Sequence, residues 1–162
     1  VSAYTEAMSA LATGVCVVTV HDDRDDIGST VSAFASVSAD PPITMLSVIG
    51  TGYLREVVDE RRAFAVSVLG EGHRAIAGRF AAEGRPSARL LLAAEEHHRG
   101  EKTGALVLDG ALAAFECAVV QRAEVGDHVV YFAETEVLPE VAGARAGASP
   151  LVRYGGRYRT LG

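Results

Sequence analysis

Cysteine is scarce: the 162 residues hold two, Cys16 in "GVCVVTV" and Cys117 in "AAFECAVV". Each lies in an apolar run with no second Cys or His at ligand spacing. That argues against a zinc site or redox pair and predicts two reduced core thiols in a cytoplasmic protein. Long apolar runs are missing too; none approaches the roughly 20 residues a membrane helix needs, so no membrane partner is expected. Nor is there a basic stripe. Fifteen Lys and Arg stand against 21 Asp and Glu, for a net charge of −6, and the scattered basic residues argue against a nucleic-acid partner. The opening "VSAYTEAMSALA" has no basic segment followed by a long apolar one, so no secretory leader is read there.

The common catalytic signatures are also absent. There is no G-x-S-x-G, H-E-x-x-H or G-x-x-x-x-G-K-[ST], which removes the usual hydrolase, metalloprotease and nucleotide triphosphate readings. The five histidines, His21, His73, His97, His98 and His128, form no ligand set by spacing, and no metal is expected. "GTGYLRE" from Gly50 follows a strand and opens a helix but lacks the third glycine of a dinucleotide fingerprint. Its geometry suits an anion, because glycine lets a ligand approach and the first helical turn has free N–H groups. A plain turn and helix cap is the alternative.

What is present reads as one domain spanning residues 1–162, rich in short strands. "SAYTEAMSALATG" has Tyr4, Ala7, Met8 and Leu11 at helical spacing, with Ser2 as N-cap and Gly14 as stop. "VCVVTVH", the extended run Ile27–Ala39 and "ITMLSVI" follow as strands. Leu54, Val57 and Val58 mark a second helix, "AFAVSVL" a strand, and Ile76, Ala77 and Phe80 a third helix. "EGRPSARLLLAAEEHHRGEKTG" is expected to be mostly a surface excursion, and His97-His98 within it solvated. Turn signals at Asp109-Gly110 and Gly126-Asp127 then predict a β-meander, and Gly155-Gly156 a final hairpin. Without a βαβ rhythm this predicts an α+β, mainly β class: an antiparallel barrel with a few short helices.

One stretch carries more hydroxyls than a strand needs. "TVSAFASVSADPP", Thr30 to Pro42, alternates Thr30, Ser32 and Phe34 against Val31, Ala33 and Ala35, and Pro41-Pro42 ends its ladder. Its hydroxyls and small side chains suit a polar, planar ligand, or else a solvent-facing strand.

Six segments in order resemble the short-chain flavin reductase family, the reductase components of two-component flavin-dependent monooxygenases with the FMN-binding split-barrel fold. They are "ATGVCVVTV", "STVSAFASVSADPPITMLSV", "FAVSVLGEGHRAIAGRFA", "LDGALAAFEC", "GDHVVYFAETEV" and "SPLVRYGGRYRTL". The resemblance implies an NAD(P)H:flavin oxidoreductase that reduces FMN or FAD with NADH or NADPH. It also implies a homodimer whose reduced flavin diffuses to a partner monooxygenase. A split-barrel flavin binder without reductase activity is the rival reading, and a barrel without flavin a second. Carried over by residue, the flavin would be held by Thr30, Val31, Ser32, Ala33, Ser36, Val37, Ser38, Ser47, Thr51, Ser67, Arg79 and Phe80. His128, Tyr154 and Arg157 would face the nicotinamide, with His128 orienting it. Two positions depart from the family pattern: "IGTGYLRE" is poorer in Ser, Asn and Arg, and Ala133 stands where glycine is usual. No acid–base pair is then required, because the cofactor carries the hydride chemistry.

Overall fold

Runs of alternating β-branched and small residues build most of this molecule, whose computed structural model describes residues 2–162. Helix α1 (Ala3–Met8) precedes strands β1 (Thr13–Gly14), β2 (Cys16–His21) and β3 (Asp26–Val31). The extended chain continues as β4 (Phe34–Ala39) and β5 (Pro42–Ile49), and α2 (Tyr53–Arg61) leads into β6 (Ala63–Val68). A 3-10 turn at Glu71–His73 opens α3 (Arg74–Ala81), followed by α4 (Ala88–Leu91), β7 (His97–Arg99) and β8 (Leu106–Leu108). The long hairpin β9 (Ala113–Val125) and β10 (His128–Val137) and the short hairpin β11 (Leu151–Tyr154) and β12 (Arg157–Thr160) come last.

Seven strands pair antiparallel in the order β3-β2-β6-β9-β10-β5-β4. The two outer strands, β3 and β4, are consecutive halves of one extended run, interrupted at Ser32–Ala33. Val31 still pairs with Cys16 of β2, whereas Ala33 already accepts a 3.0 Å bond from Ser47 N of β5. The ring of strands is therefore joined at that kink by covalent chain and not by a ladder, which makes the expected α+β fold a split barrel. The sequence predicted an unbroken strand here. It breaks because the run serves as both edges of one sheet, and a register shift between Ser36 and Ser38 disturbs the alternation again.

The barrel interior is filled by Val18, Leu46, Phe64, Val66 and Tyr131, none more than 1% exposed. A second core, with Leu69, Ile76, Phe80, Leu92 and Leu151, lies under α3 and against the sheet β1-β11-β12. Each such side chain contributes roughly 1.5–3 kcal/mol of transfer free energy. Both cysteines are free and buried, and burial pushes Cys16 up to about 12 and Cys117 to about 11.

Three expectations are corrected. Helix α1 ends at Met8, and Gly14 pairs with Val152 in β1 instead of stopping a helix; Tyr4 and Leu11 stay 72% and 60% exposed, so the apolar stripe is not buried within the chain. The excursion after Glu83 hides a core element, because Ala88, Leu91 and Leu92 of "ARLLL" are buried. The turn at Asp109–Gly110 does not join meander strands, since β8 pairs with β7 in a separate two-stranded sheet. That sheet's loop is pinned by buried Glu116, whose Oε1 accepts from Thr103 N at 2.8 Å and Thr103 Oγ1 at 2.7 Å. No helix among the described residues is long and apolar enough to cross a membrane.

Candidate functional site

Two clefts meet at the Ser32–Ala33 kink. The larger, about 780 Å³, runs along β3 and is closed by the end of β5, the first turn of α2, the loop Glu83–Ser87 and His128. Its floor at Gly28 follows from packing below: a Cβ there would stand 2.7 Å from the ring of buried Phe80. Thr30 Oγ1 donates to Ala77 O at 2.6 Å, tying this wall to α3.

The mouth of this β3 cleft is braced by the acidic turn between β2 and β3. Asp22 accepts from Arg61 at 3.0 Å and from the Tyr53 hydroxyl at 3.1 Å, and Arg24 donates to that hydroxyl at 3.2 Å. The Arg61 bond, against the cost of burial, holds the Asp22 carboxyl below the usual range. Asp26 is disfavoured by burial, but a bidentate Arg99 at 2.7 and 2.8 Å and His21 at 3.0 Å outweigh it and lower its pKa.

The opposite corner is set by glycine. Gly52 caps α2 at φ +103°, a conformation L side chains rarely adopt, and no side chain caps that end. The first turn of α2 is thus left without a side-chain cap, and Thr51, Gly52 and Tyr53 at that end line the cleft. Gly50 N donates to Asp127 O at 2.8 Å and draws His128 to this corner, its Nδ1 2.7 Å from Asp127 Oδ1.

The second cleft, about 660 Å³, lies between α1 and the β11–β12 hairpin and is lined by Met8, Leu11, Phe34, Met45 and Tyr154. Gly155 N donates to Ser9 O at 2.8 Å, so the hairpin turn and the end of α1 are tied into one wall. Ser32 and Ala33 line both clefts. Among the described residues their N–H groups donate to no other main-chain group. The kink thus leaves two main-chain donors without a main-chain partner where the clefts meet, the kind of group the polar edge of a flat ring would pair with.

Residues 8–162 match the family model of the flavin reductase like domain. The chain belongs to this family. It is similar to the NADH-dependent FMN reductase AsuE2 of Streptomyces nodosus subsp. asukaensis, 36% identical over 98% of this chain and 83% of that one. Among solved structures it resembles BorF, the flavin reductase component of a bacterial two-component tryptophan halogenase. That match has a TM-score of 0.88 and 32% identity, covering 98% of this chain and 96% of BorF. The NADH:FAD oxidoreductase SgcE6 of Streptomyces globisporus superposes with a TM-score of 0.87 at 29% identity, covering 98% and 92%.

Within this family member, the β3 cleft gathers Thr30, Val31, Ser32, Ala33, Ser47, Thr51 and His128, and Tyr154 lies across the kink in the second cleft. Other residues singled out in the sequence stand elsewhere. Ser36 and Ser38 line a separate groove with Phe115 and Leu138, and Val37 points outward at the bulge. Ser67 is 3% exposed and its hydroxyl accepts from Leu108 N at 3.1 Å; Phe80 is core beneath the cleft floor. Arg79 donates to Leu91 O at 3.0 Å, and Arg157 is exposed on β12 and lines none of these clefts.

The sequence reading missed Gly28, Tyr53 and Arg85. Arg85 donates through Nε to Gly28 O at 2.7 Å and through Nη1 to Ala82 O at 3.2 Å, so these bonds go to main-chain carbonyls and not to a carboxylate. Burial lowers its pKa from the usual arginine value. The available signal was "GRPS", an arginine between Gly and Pro beside a serine, inside a stretch too polar to stand out.

Proposed function

We propose that this chain is an NADH-dependent flavin reductase that takes FMN or FAD along β3 and the nicotinamide from the hairpin cleft. The observation that carries the reading is that the two clefts meet at Ser32–Ala33, which brings ligands held in each of them together there. The names of the relatives agree: AsuE2 is an NADH-dependent FMN reductase and SgcE6 an NADH:FAD oxidoreductase.

Flavin held there would supply the redox chemistry as the hydride acceptor, with negative charge rising on its pyrimidine edge. The chain supplies position and donors. The free N–H groups of Ser32 and Ala33, with the Ser32 and Ser47 hydroxyls, face that edge and stabilise its charge. Thr51 and the exposed first turn of α2 take the phosphate, with Arg85 as the cation on the facing lip. Tyr154 receives the nicotinamide nucleotide on the other side, and His128 closes the far corner of the flavin cleft.

BorF is one component of a two-component system, and the open clefts suit the same use here: reduced flavin leaves by diffusion to a partner monooxygenase. Residues 1–162 act as one domain and pair as a homodimer. Exposed Tyr4, Leu11, Val37 and Leu138 and the open edge of β4 support the pairing; light scattering after size exclusion tests it.

Anaerobic mixing of the purified protein with NADH and FMN or FAD should bleach the flavin's visible absorbance. Flavin binding without bleaching by either nicotinamide would leave a non-reducing flavin binder, and no flavin binding would remove the reading altogether.

A further inference from the structure

Among the residues lining the β3 cleft stands a half-exposed aromatic ring. Tyr53 is the single Phe, Tyr or Trp among the residues lining that cleft, where His128 is the other aromatic ring, and it is 48% exposed. An exposed tyrosine ordinarily moves freely, but this one is fixed at its far end. Its hydroxyl donates to Asp22 at 3.1 Å and accepts from Arg24 at 3.2 Å. Asp22 is itself 4% exposed and locked by Arg61. The ring is thereby held with a face open to the cleft, and the ordering cost is met before any ligand arrives.

Arg85 lines the same cleft from the facing loop. Its bonds to Gly28 O and Ala82 O fix the guanidinium while its charge is not neutralised by those partners. The cleft thus places a cation and a preset aromatic face beyond the region of Ser32 and Ser47 that suits the flavin ring. A mononucleotide ends at one phosphate and has no group to lay on Tyr53. A dinucleotide has a second phosphate and an adenine.

Resting on the flavin reductase reading, we infer that the cleft selects FAD over FMN, with Tyr53 stacking the adenine and Arg85 holding the diphosphate. The β3 cleft, about 780 Å³, is of the size that takes ligands of this class. Stacking of a base on an aromatic side chain tolerates the donor pattern of the base, so a ring without further base-reading groups suffices.

The test is fluorescence titration of the intact protein with oxidised FAD and FMN, with no nicotinamide present. Wild type should bind FAD about tenfold more tightly than FMN, and Tyr53→Ala should lose about tenfold on FAD while FMN stays within about twofold. Tyr53→Phe keeps the ring and should keep most of the FAD preference, which separates stacking from the brace on Asp22 and covers the case in which the alanine variant misfolds. Arg85→Gln should weaken FAD more than FMN and flatten the salt dependence of FAD binding. Equal losses for both flavins, or no loss of FAD in Tyr53→Ala, would overturn the inference. So would a raised KM for NADH in Tyr53→Ala with FAD affinity unchanged, since the ring would then serve the other nucleotide. If wild type binds neither flavin, the functional reading itself has failed, and that result is distinct from these.

Discussion

The two clefts share a wall but are held in different ways. The β3 cleft is organised by charge: Asp22 and Asp26 of one turn bind Tyr53 and Arg61 on one side and Arg99 on the other, and Arg85 faces them from a loop. The hairpin cleft has methionine, leucine and aromatic side chains for walls, and its nearby arginines lie over rings instead, with Arg153 4.9 Å from the Tyr158 ring and Arg159 5.6 Å from Tyr154. A preset polar cleft fixes the pose of its ligand by charge and hydrogen bonds, whereas an apolar groove holds its ligand by surface contact; with reduced flavin diffusing away, both must release their ligands in every turnover.

The largest expected difference between them is in the foundations. Phe80→Ala removes the ring under Gly28 and should cost about 3–5 kcal/mol in urea denaturation, whereas Met8→Ala in the wall of the other cleft should stay within about 0.5 kcal/mol. Similar losses would erase the contrast. Next comes the shared wall: Ser32→Pro abolishes one free N–H and should lower flavin affinity and hydride-transfer rate together by about tenfold or more, read by titration and stopped-flow bleaching. Tyr154→Ala should touch one side alone, raising KM for NADH about fivefold with flavin affinity within about twofold; a matching fall in flavin binding would merge the two clefts into one site.

The smallest effect is on pH. His73 accepts from Gly70 N at 2.9 Å through Nδ1, and burial lowers its pKa below the usual 6.5. The folded state therefore holds this proton less readily than the unfolded chain. Its contribution is complete above pH about 6.5 and is lost as pH falls through that value toward the folded pKa. Urea midpoints at pH 7.5 and 5.5 should fall with acid in the wild type, and His73→Gln should flatten that fall. The carboxylates Asp22, Asp26 and Asp59 are also shifted downward, so their contributions are lost only below the ordinary carboxylate range.

Much of this architecture was legible in the sequence, for identifiable reasons. Helices α2 and α3 show because Val57 and Val58, and Ile76, Ala77 and Phe80, recur at helical spacing and are buried on one face. The kink at Ser32–Ala33 does not show, because serine and alanine sit equally well in a strand or a bend and the break comes from long-range pairing with β2 and β5. Hydroxyl content alone also misleads. Ser67 has the same chemistry as Ser47, yet register turns it inward onto Leu108 N while Ser47 lines the cleft. Arg85 was invisible for a related reason: in a polar stretch an arginine looks solvated until the fold brings Gly28 beneath it.

A crystal structure of the protein with flavin bound decides where the ring lies. The flavin ring should sit against Val31–Ala33, with its polar edge on the N–H groups of Ser32 and Ala33, its phosphate toward Thr51 and Arg85, and its open face toward Tyr154. A flavin seated instead in the groove of Ser36, Phe115 and Leu138, or one whose open face is turned away from the hairpin cleft, would contradict this placement.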